Sequence, residues 1–302
     1  KDNMDATPDE IDEMVKQMTK QEGITTYFCT TMTQTYENIE KAMQNIHDAA
    51  QKNPVIKGIH VEGPFISTVF KGAQDPSYIK KPDEKTLAKW NEISGGLLRI
   101  VTYAPEEADP SFETWCKENG VVLSAGHSNA LYGELNASGA THVTHLYNAM
   151  QPLAHREPGL IGAAMDDPEC MVELICDGYH IHPSVIRATF RMFGPERVIL
   201  ISDSMRATGM ENGTYELGGQ EVTVKDRKAV LKDGTLAGSA TNLFGCMCKA
   251  MEFGIPTEQA IFAATRNPAR SIGIYDRTGS IHTGKEADLL LVTEDFEIKM
   301  VI

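Results

Sequence analysis

A parallel α/β barrel of the (β/α)8 type is the fold class this sequence predicts, and three observations carry the prediction. Short Val- and Ile-rich runs alternate with helix-like stretches along most of the chain. Most of those runs are continuously apolar, the mark of strands buried on both faces. Four of them end in a residue able to do chemistry: Glu62 in VIKGIHVEG, His127 in VVLSAGHS, His145 in THVTHLYNA and Asp203 in VILISDS. In a parallel barrel the C-terminal strand ends converge on one face. An open doubly wound sheet is the competing architecture, and it gathers distant strand ends onto a single ring less readily.

The elements follow in order. Thr7-Pro8-Asp9-Glu10 reads as a helix start, with a Thr cap, Pro at the first helical position and acids in the first turn. Ile11, Met14, Val15 and Met18 form its apolar stripe, and Gly23 ends it. Strands are expected at 24–29, 55–61, 97–103, 121–126, 141–146, 171–176 and 198–202, with helices at Tyr36–Ala50 and Lys85–Ile93 among the connections. The count is seven and the chain opens on a helix, so an eighth strand is expected before Lys1. Beyond Asp203, Thr214–Leu217, Gln220–Lys225 and Lys228–Lys232 read as hairpin strands. Asn242–Phe253 and Thr257–Ala264 are helical again, and Gly279–Ile302 reads as β. The expected organisation is a barrel over 1–275 carrying a β-hairpin insertion near 212–233. Residues 276–302 would then be the C-terminal part of a small β domain.

Composition narrows the function. The 302 residues are 41% hydrophobic and 23% charged, an ordinary globular balance. No apolar run approaches the roughly 20 residues that span a bilayer, and the acidic N-terminus has no signal-peptide pattern, so a cytoplasmic location is expected. A net charge of −14 argues against general nucleic-acid binding, while leaving room for a small anionic substrate. Six cysteines occur with no CxxC pair, which reads as buried, reduced thiols.

The strand-end residues each have a bland reading beside a sharp one. A lone Glu62 is more simply one half of an ion pair, and His60, on the same strand face, is either a second ligand or a partner that orients one. Single histidines at strand ends are more often just hydrogen-bonded. His127 and His145 on neighbouring strands, with Glu62 on a third, make a metal site the better reading. Asp203 can cap a helix together with Ser202 and Ser204, or move a proton beside a metal. Arg156 can pair with Glu157. The His180-x-His182 spacing in a loop fixes no metal geometry. Leu236-Ala237-Gly238-Ser239 is either a tight turn or a bare backbone against a small acyl group.

Taken together, GIHVEGPF, SAGHSNA, THLYNAM, REPGL, DGYH, ISDS, LAGS and ATRNPAR resemble the N-acetylglucosamine-6-phosphate deacetylases of the amidohydrolase superfamily, in the right order over nearly the whole chain. The resemblance implies a (β/α)8 barrel with a small β-sandwich built from both chain ends, and deacetylation of a phosphorylated amino sugar. It implies one divalent metal, zinc first and iron, manganese or cobalt as alternatives, on Glu62, His127 and His145, with Asp203 as catalytic acid/base. Asn148, Ala149 and Arg156 would hold the phosphate, and His180 the sugar or acetyl carbonyl. Leu236, Ala237 and Gly238 would line the acetyl pocket, with Ala73, Gln74 and Asp177 also against the substrate. A homodimer is implied, with some phosphate contacts crossing between subunits. Gln74 stands where many relatives have His, and the first-strand His-x-His of two-metal members is absent, both favouring a single metal. The alternatives are a deacetylase of another N-acetylated sugar phosphate, such as N-acetylgalactosamine 6-phosphate, and a non-catalytic sugar-phosphate-binding paralogue.

Overall fold

The structure, a computed structural model, describes residues 1–302. Helix α1 (Pro8–Glu22) begins as its sequence dictates: the Thr7 hydroxyl accepts from the Glu10 N–H and the Glu10 carboxylate accepts from the Thr7 N–H. Gly23, left-handed at φ +73°, closes it. Seven strands and six further helices follow in alternation: β1 (Tyr27–Thr31), α2 (Tyr36–Ala50), β2 (Ile56–Glu62), α3 (Glu84–Ile93), β3 (Leu98–Tyr103), α4 (Pro110–Glu118), β4 (Val122–Ala125), α5 (Tyr132–Ala137), β5 (His142–Val143), α6 (Gly159–Asp166), β6 (Met171–Ile175), α7 (Pro183–Phe193) and β7 (Val198–Ile201).

All seven strands are parallel and lie in sequence order, β1 to β7, each paired with the next. A doubly wound sheet reverses its strand order at a switch point. This sheet has no reversal, which is barrel topology, and β1 and β7 are its two edges. The core is one cluster of 48 buried residues between sheet and helices. Its aromatic centre is Phe65 stacked on Trp90, with Phe112 edge-on to Phe65 and Tyr36 edge-on to Trp90.

Beyond β7, an antiparallel meander of β8 (Gly213–Leu217), β9 (Gln220–Lys225) and β10 (Lys228–Leu231) buries Val222, Val224, Ala229 and Leu231 against Met205, Ala207, Ala237 and Ala240. Helices α8 (Leu243–Glu252), α9 (Thr257–Ala264) and α10 (Arg266–Ser271) pack behind β7. A final hairpin joins β11 (Leu290–Val292) to β12 (Ile298–Val301). No helix is long and apolar enough to cross a membrane.

Three expectations need correction. The first strand lies at 27–31 rather than 24–29, because Ile24 N–H still reaches back to the Met18 carbonyl in the α1 cap. The run at 141–146 is strand only at 142–143, because His145 leaves the extended conformation at φ +32°. Of 279–302, only the two hairpin strands are β. The stretch before them is turns, held by the Arg277–Glu286 pair and by Lys285 donating to the Tyr275 and Thr278 carbonyls.

Arg197, just before β7, donates to the carbonyl oxygens of Ala164, Met165, Asp167, Cys170 and Phe193, so one guanidinium ties the α6–β6 connection to the end of α7. Arg197→Met keeps an apolar stem but leaves those carbonyls short of a charged donor. It is expected to cost about 1.5–3 kcal/mol, read as a lower urea midpoint at unchanged slope.

Candidate active site

The ends of β2, β4, β5 and β7 converge. Glu62 is the last residue of β2; His127 and His145 lie two residues beyond β4 and β5; Asp203 lies two beyond β7. His127, His145 and Asp203 all take positive φ (47°, 32° and 49°). That conformation is costly for residues with a Cβ and clusters at functional sites. Here it turns each side chain off the strand and into the mouth of the sheet.

The Glu62 Oε1 lies 3.0 Å from the His127 Nε2 and 3.3 Å from the His145 Nε2, and the two Nε2 atoms are 3.1 Å apart. These three ligand atoms form the one group in the molecule compact enough to hold a metal ion. Their chemistry fits one. Burial opposes charge on Glu62, yet bonds from His127 and His145 hold its carboxyl well below the usual range. Burial likewise opposes protonation of His145, but Glu62 and Asp203 push it up to about 9. A protonated His145 against an ionised Glu62 places a positive charge at this point, which a divalent cation can replace with release of the proton. The other ring nitrogen of His127, Nδ1, meets the Phe70 carbonyl at 3.0 Å, the outer bond that orients a ligating imidazole. Nδ1 of His145 is buried without a partner.

Asp203 lines the same cavity of about 1190 Å³, and burial together with the Glu62 charge pushes it up to about 6. Among the expected substrate residues, Ala73, Gln74, Asn148, Ala149, His180, Leu236 and Gly238 line this cavity. Gln74 also accepts the Thr33 N–H at 2.9 Å, tying the loop after β2 to the loop after β1. Ala237 is fully buried in the core of the small sheet. Asp177 is turned toward its own loop, and Arg156 is exposed on the 152–156 loop; neither lines the cavity. His60 is not one of the compact ligand group: its Nε2 bonds the Thr102 hydroxyl at 2.7 Å. His182 caps α7, accepting from the Ser184 N–H.

Several supporting residues escaped the sequence reading. Glu106, just after β3, accepts from the Ser128 hydroxyl and the Asn129 N–H at 2.6 and 2.5 Å, clamping the loop immediately past His127. Arg206, three residues past Asp203, pairs with Asp2 and Asp5, and Asn3 donates to the Tyr27 hydroxyl and the Thr30 carbonyl. The segment before α1 is thus strapped to the loop that carries Asp203. Glu173 was legible: a carboxylate inside the apolar run MVELIC meets the same objection raised for Glu62.

Glu173 and His142 lie below the triad on β6 and β5, 3.7 Å apart and almost wholly buried. Burial pushes Glu173 up to about 8 and His142 down to about 3. Because the folded-state value of Glu173 is raised from 4.5, its contribution to stability is complete below about pH 4.5 and is lost as pH rises through about 8. Gln carries no charge to bury. In chelator-treated protein, Glu173→Gln is therefore expected to gain melting temperature over the parent progressively across that window, with little difference at its acid end. A constant offset at every pH would contradict the assignment.

The model of the family described as "Amidohydrolase family" matches residues 7–302. N-acetylglucosamine-6-phosphate deacetylase of Bacillus subtilis (strain 168) is 42% identical, over all of this chain and 78% of its own length. N-acetylgalactosamine-6-phosphate deacetylase of Escherichia coli O157:H7 is 31% identical over 99% of this chain and 81% of its own. Among solved structures, a mutant N-acetyl-D-glucosamine-6-phosphate deacetylase from Mycobacterium smegmatis, in complex with N-acetyl-D-glucosamine-6-phosphate, superposes with a TM-score of 0.93 at 32% identity, covering 99% of this chain and 80% of that one. On these likenesses, which extend over nearly the whole sequence and fold, the chain belongs to the amidohydrolase family and, within it, to the N-acetylglucosamine-6-phosphate deacetylases.

Proposed function

We propose that this chain hydrolyses the N-acetyl group of N-acetylglucosamine 6-phosphate, giving acetate and glucosamine 6-phosphate. The observation that carries the reading is the meeting of Glu62, His127 and His145 at one point in a cavity that Asp203 also lines. Glu62, His127 and His145 would hold one divalent ion, zinc being the first choice for two imidazoles and a carboxylate. Such an ion, when bound, polarises an acyl oxygen and lowers the pKa of water.

The chain's own groups do the rest. Asp203, raised by burial, is suited to take the proton of the water that attacks the acetyl carbon and to return it to the sugar nitrogen as the C–N bond breaks. His180 faces the cavity to hold the sugar or its acetyl oxygen, and Leu236 and Gly238 bound the space for the methyl group. Asn148 and Ala149 line the cavity where the phosphate would sit; the Asn148 N–H is taken by the His145 carbonyl, so the Ala149 N–H is the backbone donor assigned to the phosphate. Free cysteines throughout fit a cytoplasmic enzyme.

Arg156 enters differently. Its exposure outside its own cavity is what a contact reaching into a neighbouring subunit requires, so we assign it to the phosphate of the partner's site in a homodimer. The 31% identity to an N-acetylgalactosamine-6-phosphate deacetylase supports a second reading in which the galacto sugar is preferred. Relative kcat/KM on the two sugar phosphates separates them.

Asp203→Asn is expected to keep its metal and lose about 10²–10⁴-fold in kcat, measured by acetate release. In the parent enzyme kcat/KM should rise with pH through an acid limb no higher than about 6, because the base must be ionised and a bound cation lowers its pKa further. Full activity in the variant, or a limb well above that value, would overturn the role. Mixing subunits tests Arg156. Arg156→Ala and Asp203→Asn dimers, each impaired, should recover activity on subunit exchange, since one of the two mixed sites is then complete. Lack of recovery would return Arg156 to its own site or to the surface.

A further inference from the structure

We propose that Asp177 is a positioning residue that fixes the ring of His180, so that Nδ1 is committed to Asp177 and Nε2 is the atom presented to the substrate. The inference rests on the proposed deacetylase reading for its kinetic consequence, but not for its geometry.

Asp177 follows β6 by two residues, and Gly178, at φ +86°, turns the chain back over it. That turn stacks three donors on one carboxylate. The Oδ1 accepts the N–H of Tyr179 at 2.8 Å and of His180 at 3.0 Å, and the Oδ2 meets the His180 Nδ1 at 2.7 Å. The two side chains are 1% and 6% exposed, so water does not compete for these bonds. Burial acts against the Asp177 charge, yet the His180 and backbone donors hold its carboxyl below the usual range. An ionised carboxylate can only accept, so the hydrogen between Asp177 and His180 resides on Nδ1.

His180 lines the cavity and Asp177 does not. Whatever Asp177 does for the reaction passes through the imidazole. With Nδ1–H occupied, a neutral His180 offers Nε2 as an acceptor for a sugar hydroxyl, and the ring cannot exchange its two nitrogens without breaking a buried charge-assisted bond. The loop is held from the other side as well: the Tyr179 hydroxyl donates to the Asp226 carbonyl in the turn between β9 and β10. His182, two residues on, has no such carboxylate and serves as a helix cap. The His-x-His pair is thus divided between one ring facing the cavity and one outside it.

The test has two independent readouts on the intact chain. Long-range 15N-histidine NMR should find His180 as the Nδ1–H tautomer in the parent and as Nε2–H in Asp177→Asn, whose amide can donate toward Nδ1. Acetate release from N-acetylglucosamine 6-phosphate should lose about 10–100-fold in kcat/KM in Asp177→Asn with metal content unchanged. The same substitution in a His180→Ala background should cost about twofold or less. An Nε2–H tautomer in the parent, or an equal loss in both backgrounds, overturns the proposal. Asp177→Glu, which restores a carboxylate, should recover part of the rate if Asp177→Asn folds poorly. If the parent releases no acetate, the deacetylase reading fails while the tautomer still decides this one.

Discussion

The apposition of two imidazole nitrogens across 3.1 Å, both against one carboxylate oxygen, is the constraint around which the rest of the molecule is arranged. The buried carboxylate between those rings is held ionised, and buried charge is costly unless it is paired, so a positive charge belongs at the same point. The fold meets the condition by making three separate strand ends, those of β2, β4 and β5, arrive at one point. Consecutive parallel pairing from β2 to β5 sets the heights of the strand ends. Left-handed residues at His127 and His145 then swing the rings inward. Alternation alone would not do this: on β5 it is His142 and Thr144 that share a face, and His145 reaches the site only because the strand has ended.

Strained strand ends persist only where their surroundings over-determine them. The loop after His127 is clamped by Glu106 beyond β3, the His127 ring is held by the Phe70 carbonyl beyond β2, and the Ser128 N–H meets the Ala149 carbonyl beyond β5. The small antiparallel sheet performs a similar task at longer range. Gln220 donates to the Ala73 carbonyl, Gln34 reaches the Gly218 carbonyl, and Tyr179 reaches Asp226. Loops after β1, β2 and β6 are therefore all tied to one rigid insertion that has its own apolar core. A hairpin that looks like decoration in the sequence is a brace across the mouth.

The sequence was legible where burial speaks through residue type. Val and Ile runs located every strand of the parallel sheet to within a few residues, and helix starts such as Thr7 and Asn242 appear where a side-chain oxygen accepts the third N–H. Glu62 and the two histidines stood out because a polar residue at the end of an apolar run needs a reason. What stayed hidden depends on backbone turns and on partners distant in the chain. Positive φ at Asp203 leaves no mark in residue type, and nothing near Glu106 announces that its oxygens are used twenty-two residues downstream. Arg156 reads as a phosphate ligand in a motif, yet a motif does not say which subunit's phosphate.

The floor of the cavity extends the argument from metal to polarity. Below the triad, His60 on β2, Thr102 on β3, Thr144 just past β5 and Ser124 on β4 form a continuous hydrogen-bonded chain at 2.6–2.7 Å. Beside it lie Glu173 and a His142 whose two nitrogens have no partner. An apolar floor would pack better, since each buried polar group must first recover its lost hydration. Desolvation nevertheless keeps these groups neutral, with His60 pushed down to about 4 and Glu173 up to about 8. Neutral dipoles beneath a charged site can orient toward it without contributing a competing charge. The same burial that neutralises the floor leaves Glu62, held low by its histidines, as the ionised carboxylate at the centre, and that contrast makes the triad the place where a cation belongs.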